Sequence, residues 1–430
     1  MILFNPVLIG VLLMCALCLA RFNVLLAILV SALLTGVLGG IELSESLKIL
    51  IGGMAGNLET ALSYVLLGAL AAAVSQSNLT AVLVEKISHT LAKGRKLLIF
   101  SIAFLACFSQ NLIPIHIAFI PILIPPLLTV MNQLKIDRRA VACALTFGLK
   151  APYVSFSVGF GLIFHGILVK EISANGMESA LSDVSQVMWI GGAAMLLGLI
   201  LAVFYYRKPR EYLTLQHFER QTRGAKLHRK EWVILAGIFL AFIVQLKFSS
   251  LPLGALFGLL LMIFLGGIPW QEMDRTIEQG LHMMAFIAFV MLVAAGFAAV
   301  IRATGGINEL VNAVSSIAGG KIGGALIMLL IGLLITMGIG TSFGTIPILA
   351  TIYVPLCLSL GFGISATILL IGIAAALGDA GSPASDSTLG PTSGLNADNQ
   401  HNHIFDTCVP TFVFFNIPLF VAAILFSLFL

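Results

Sequence analysis

The sequence predicts an all-α polytopic membrane protein, built as an inverted-topology repeat with two re-entrant helical hairpins and two broken helices. Three observations predict it. The chain is 59% hydrophobic and only 10% charged over 430 residues, whereas soluble proteins carry roughly 25% charged residues. Apolar runs of about 20 residues, each long enough to cross a bilayer, recur from end to end. Several of those runs are interrupted by polar, Gly- or Pro-containing stretches. Backbone broken at that depth survives only where protein buries it or where it lines a wet cavity.

The elements follow in order. Crossings are expected over 2–20, 23–41 and 58–76, joined by loops. The run 2–20 has neither a basic n-region nor a small-residue cleavage site, so it reads as a retained helix rather than a signal peptide. A hairpin follows over 97–131, interrupted by Ser109, Gln110, Asn111 and Pro114. The first broken helix spans 140–165, with its break expected between Gly148 and Pro152. A crossing at 187–206 closes the first half. After the basic loop 207–230 the plan restarts with crossings 232–248, 251–268 and 282–300. A second hairpin covers 322–357, broken at 338–345, and a second broken helix covers 364–395. A last crossing spans 404–428. The division is therefore 1–206, 207–230 and 231–430, with short echoes between the halves: Pro121-Ile122-Leu123 resembles Pro347-Ile348-Leu349.

Charge sets the orientation. The loop 207–230 holds Arg207, Lys208, Arg210, Arg220, Arg223, Lys226, Arg229 and Lys230, which makes it cytoplasmic by the positive-inside rule. If both hairpins return to their own side, most of the remaining Lys and Arg also fall inside. Each half then crosses an odd number of times, so the second half enters with opposite orientation, a plan recurrent among secondary transporters. The expected location is the inner (plasma) membrane with both termini periplasmic or extracellular. The net charge of +4 is no nucleic-acid signature. The basic loop reads as a solvated segment near anionic lipid.

Chemistry concentrates at the breaks. The stretch Gly378-Asp379-Ala380-Gly381-Ser382-Pro383-Ala384-Ser385-Asp386-Ser387-Thr388 puts two carboxylates and several hydroxyls where a bilayer demands aliphatic side chains. An ionised Asp there costs roughly 3 kcal/mol on insertion scales. Carboxylates, hydroxyls and freed carbonyls are hard oxygen ligands suited to Na+. The candidate cation and proton site is Asp379, Asp386, Ser382, Ser385 and Thr388, with Thr341, Ser342 and Thr345 from the second hairpin. Candidate substrate contacts are Ser109, Asn111, Lys150 and His116. Lys150 either snorkels to the interface or serves as a counter-charge. His116 either relays protons or sits as a satisfied buried imidazole. Gly and Ser at the breaks also admit the simpler reading of close helix packing.

Other groups are weaker. The six cysteines suggest no disulfide framework, and Cys15 and Cys18 lack a second pair for a metal site. His401, His403 and Asp406 form a polar gate or loop rather than a metal cluster, so no metal beyond Na+ and no cofactor is expected. An intramembrane aspartyl protease needs a Tyr-Asp pair beside its Gly-Asp, and no Tyr-Asp occurs. An enzyme is not expected.

The residues 378–388 resemble the GD-x-x-SP-x-SD-T-T signature of NhaC-type Na+/H+ antiporters, in the ion transporter superfamily. Gly340-Thr341-Ser342-Phe343-Gly344-Thr345 resembles the GTS-[WF]-GT hairpin motif of the same group, in the same order and spacing. The resemblance implies a scaffold and a transport domain, a homodimer, and Na+ and H+ as the coupled ions near both motifs. Ser387 departs from the signature, where Thr is usual. Residues 400–407 are closer to an uncharacterised branch associated with amino-acid carriers. The implied activity is Na+/H+ antiport, with Na+- or H+-coupled transport of an amino acid or small organic anion as the alternative.

Overall fold

The computed structural model describes residues 5–20, 22–79, 82, 94–111, 120, 124, 127–128, 130–213, 227–248, 250–339, 341–383 and 385–430. The first half comprises α1 (Pro6–Leu19), α2 (Val24–Leu38), α3 (Leu43–Met54), α4 (Leu58–Ser75), α5 (Arg95–Asn111), α6 (Arg138–Ser155), α7 (Phe160–Ala174) and α8 (Leu181–Tyr205). The second comprises α9 (Arg229–Phe248), α10 (Leu251–Phe264), α11 (Met273–Ala303), α12 (Ile307–Ala318), α13 (Lys321–Ile339), α14 (Ser342–Leu360), α15 (Ile364–Ala376), α16 (Asp386–Leu395) and α17 (His403–Ser427). The described residues contain no strand. In lipid every backbone N–H and C=O must be satisfied internally, and helices do this within one segment.

Among the described residues, α8, α9, α14, α17 and the Met284–Ala303 part of α11 are each long and apolar enough to cross a membrane. The pairs α3–α4 and α6–α7 pass the same test together, bent by 53° and 47°. The chain is a membrane protein. The two halves share an element order: two leading helices, a long third unit (α3–α4, then α11), a broken helix (α6–α7, then α15–α16) and a closing helix. The second hairpin is formed by α13, which ends at Ile339, and α14, which begins at Ser342. The return arm of the first hairpin, after α5, lies largely outside the described residues.

Two loops expected from the sequence are helical. The stretch 42–57 carries α3, and 301–321 carries α12. Both escaped a search for long apolar runs because they are short and two-faced. In α12, Leu310 and Val311 are buried while Asn308, Glu309 and Asn312 lie on or near the surface, the 3.6-residue stripe of an interfacial helix. The first broken helix also breaks later than expected. Helix α6 runs through Pro152 and ends at Ser155, with Gly159 turning the chain at φ +61° before α7. Pro152 has no N–H to offer the Gly148 carbonyl and its ring crowds that carbonyl, yet the helix continues beyond it to Ser155.

Two crossings position the site. Helices α4 and α11 touch at Gly68 and Gly280, where a Cβ added to Gly280 would lie 2.3 Å from the Ala69 nitrogen; only small residues allow this approach. Helix α15 is the buried axis: every residue from 366 to 376 is enclosed, among α8, α13, α14 and α17. The chain breaks at the C-terminal end of that axis, so the polar groups released there lie inside protein.

Candidate functional site

The break after α15 is built by glycine. Leu377 leaves the helix in extended conformation, and Gly378 and Gly381 take φ +78° and +106°. Side chains rarely adopt those angles, and space forbids them too: a Cβ on Gly378 would lie 2.6 Å from the Leu333 carbonyl oxygen. The freed backbone is satisfied by Asn416 of α17. Its Oδ1 accepts from Gly378 N at 3.1 Å, and its Nδ2 donates to the Ala380 carbonyl at 2.8 Å. Asn416 lies in a π-helical stretch, Phe412–Asn416, a distortion common where a helix serves a site.

Asp379 occupies the centre of this break. The Lys150 ammonium of α6 is 2.7 Å from Asp379 Oδ2, with both side chains buried. Ser342 Oγ donates to the same oxygen at 2.6 Å, and the Tyr153 hydroxyl reaches it at 3.2 Å. Ser385 Oγ donates to Oδ1. Ser387 Oγ donates to the Asp379 carbonyl at 3.0 Å and lies 2.9 Å from Ser385 Oγ. Lys150 and Tyr153 are three residues apart on one helix, hence on one face. That face exists because α6 stays helical past Pro152.

Helix ends explain the polarity. Ser342 is the first residue of α14, and Ser385 caps α16, where its side chain accepts from Ser387 N. Helix N-termini carry partial positive charge and favour a carboxylate. Lys150 Nζ meanwhile donates to the Ala376 carbonyl at 3.2 Å, one of the orphan acceptors at the C-terminus of α15. Each charge of the pair therefore faces the helix end of opposite sign. This also overturns snorkelling for Lys150, which is 1% exposed: its ammonium is paired with the Asp379 carboxylate in the interior.

The other expected residues fall into distinct places. Asp386, the first residue of α16, is partly exposed and makes no hydrogen bond or ion pair among the described residues. Ser382 Oγ donates to the Met337 carbonyl at 3.0 Å, tying the break to α13. Thr388 donates to the Ser382 and Ser385 carbonyls, and Thr345 to the Thr341 carbonyl at 2.8 Å. The hydroxyls of Ser382, Thr388 and Thr345 thus brace the backbone, Thr341 taking part through its carbonyl, while Ser342 and Ser385 reach the carboxylate. Ser109, Gln110 and Asn111 end α5, but their side chains, like His116, lie outside the described residues.

Sequence reading missed four contributors. Tyr153, three residues after Lys150, and Asn416, within the last crossing, were not among the candidates. Thr146 of α6 donates to the Ser387 carbonyl at 2.8 Å. Tyr64 of α4 is buried beside the site. Its ring meets Phe160 and Phe343 edge-on at 5.4 and 6.0 Å. The one available signal was a polar atom on an otherwise apolar crossing.

At the other end of α6, Arg138 is fully buried and bound bidentately by Asp398, at 2.6 and 2.5 Å. It also donates to the Leu395 carbonyl and to Asn132 Oδ1, both at 3.0 Å, and lies over the Tyr212 ring. At the start of the basic loop Arg210 pairs with Asp406 at 2.9 Å; residues 214–226 of that loop lie outside the described residues. His401 is hydrogen-bonded to Thr407 at 2.7 Å and His403 to Thr392 at 2.8 Å. Among the described residues no three His, Cys, Asp or Glu side chains gather as a metal-ligand set.

Residues 144–428 match the Na+/H+ antiporter family, and residues 5–91 match a second family described as Na+-H+ antiporter. The chain belongs to the Na+/H+ antiporter family. It is 49% identical to an uncharacterized membrane protein of Vibrio parahaemolyticus, across 97% of this chain and 98% of that one. It is 46% identical to the "Putative amino acid transporter YuiF" of Bacillus subtilis, again across 97% and 98%. Among solved structures, the YdaH transporter of Alcanivorax borkumensis superposes with TM-score 0.61 at 12% identity, covering 90% of this chain and 88% of that one. MtrF of Neisseria gonorrhoeae, described among antimetabolite efflux pumps, gives TM-score 0.58 at 16% identity, covering 89% and 84%. The fold is that of these transporters, and this family member is a secondary transporter.

Proposed function

We propose that this transporter exchanges Na+ for H+ across the inner membrane by alternating access, with Asp379 as the shared binding group. One observation carries the reading: a buried carboxylate held by a lysine ammonium and ringed by serine and tyrosine hydroxyls at three helix ends. Na+ entering this ring takes the Asp379 carboxylate and the oxygens of Ser342, Ser385 and Ser387 as ligands. Lys150, displaced from its anion, gives up its proton, as buried lysines do. Returning the proton restores the pair and expels Na+. Asp386, free of partners among the described residues, offers a second carboxylate for the incoming cation. We read the two halves as inverted repeats and the Arg138 end as cytoplasmic. The gathering there of Arg95, Lys96, Lys135, Arg207 and Lys208 supports that orientation. In proteoliposomes holding a pH gradient, added Na+ should collapse the gradient, and D379N should not. A gradient indifferent to Na+ would end this reading.

The name of the relative YuiF and its 46% identity favour a second reading, coupled amino-acid transport. A substrate's α-ammonium would then take the place of the Lys150 ammonium against Asp379. Uptake of a labelled amino-acid panel separates the two, since an antiporter gives a flat response.

A further inference from the structure

The proposed exchange needs a route from solvent to Asp379. At the Arg138 end the described residues are tied together by Arg138–Asp398, Arg210–Asp406 and the bonds from the Gln400 side chain to the Leu213 backbone. On α7 and α4 the situation reverses. A cavity of about 310 Å³ opens between α4, α7 and the start of α10, lined by Glu59, Ser63, Leu162, Gly166 and Lys170 among others. Its outer residues, Glu59 and Lys170, are exposed, while Ser63 and Ile163 are buried, so it deepens toward the centre. Along α7 it stops at Leu162, two residues short of Phe160; along α4 it stops at Ser63, one residue short of Tyr64.

What lies beyond is a set of three rings. Tyr64, Phe160 and Phe343 meet pairwise edge-on, with centroids 5.4, 6.0 and 6.1 Å apart. Behind them Tyr153 lies 5.0 Å from Phe343 and reaches Asp379. Phe343 also directly follows Ser342. The rings come from three helices, and two of them sit on chain breaks. Phe160 is the first residue of α7, after the turn at Gly159, and Phe343 is the second of α14, after the extended cap residue Thr341. A ring mounted on a break swings with small changes of backbone angle, which is how hinges move bulky groups.

We propose that the α4–α7–α10 cavity is the access vestibule for the transported cation, and that Tyr64, Phe160 and Phe343 form the gate between it and the Lys150–Asp379 pair. This rests on the exchange reading for its cargo but not for its geometry. Closed, the edge-on rings exclude water from the pair. Open, they would expose Ser342 and Asp379 to the vestibule.

The test reads solvent access rather than transport. In a chain whose native cysteines are replaced, single cysteines go in at Gly166 for the vestibule and at Ser342 for the far side of the gate. A membrane-impermeant, positively charged thiol reagent is added from each side of reconstituted vesicles. G166C should react from one side only, the side opposite Arg138, and S342C should react slowly from that same side. Adding F160A should speed the S342C reaction several-fold while leaving the G166C rate unchanged. If G166C reacts from neither side, or if F160A leaves the S342C rate unaltered in protein that still elutes as a folded species, the proposal is overturned. The labelling pattern with no Na+ flux would keep the vestibule and remove only the cargo reading.

Discussion

Helix α6 carries two buried cations, twelve residues apart, and they are held in different ways. Arg138 presents a planar fork to Asp398, and the same two terminal nitrogens also donate to a carbonyl and an amide oxygen. Lys150 presents a single ammonium to Asp379, and most of the groups around that carboxylate are hydroxyls, which also bind a metal cation. An arginine pair is geometrically specific and keeps its proton. A lysine pair ringed by hydroxyls is one that another cation can replace. The first is fitted to hold the end of the molecule, the second to be exchanged.

The comparison can be broken in several places. The largest expected effect is D379N: Na+-driven pH change in proteoliposomes falls to background, because the exchange loses its only paired carboxylate. K150R comes next. It keeps the charge and the fold but not the releasable proton, so Na+ binding by calorimetry and proton-coupled flux should both be lost while the melting temperature holds. Flux surviving in K150R would erase the distinction between the two pairs. D398N should do the opposite. Leaving Arg138 buried without its partner costs on the order of 3–5 kcal/mol, seen as a lower melting temperature in detergent, with normal flux per folded molecule.

A smaller effect concerns acid. At the Arg138 end, between α16 and α17, burial pulls the His401 imidazole down to about 4, against the pull of Asp406. The unfolded chain takes up that proton near pH 6.5, the folded chain only near 4, so stability is lost as pH falls through this window. The melting temperature should drop between pH 7 and pH 5, and less so in H401Q. The smallest expected effect is S387A. It removes one hydrogen bond to the Asp379 carbonyl, worth about 1 kcal/mol, and should weaken apparent Na+ affinity only several-fold.

Much of this was legible in the chain. The break at 378–388 announced itself because two acids, two glycines and a proline have no place together in lipid-facing helix. The break of the first half did not. Pro152 looked like the interruption, yet the helix continues past it to Ser155 and the turn that matters is made by Gly159. Helices α3 and α12 were hidden by polar faces. Asn416 and Tyr153 were hidden for another reason, since each is ordinary in its own crossing and gains meaning only from what it touches.

By itself, then, the sequence determined that the chain lives in a membrane, roughly where it crosses and where its second half must break. Burial in hydrocarbon is a residue-by-residue cost, and a local pattern suffices to read it. Only the tertiary structure decided that Lys150, rather than bulk water or a second acid, faces Asp379, and that three rings stand between that pair and the cavity. Those choices join α4, α6, α7, α14 and the end of α15, segments far apart in the chain. No local pattern encodes which distant charge will neutralise a buried one; the packing of α15 at the centre of the bundle settles it.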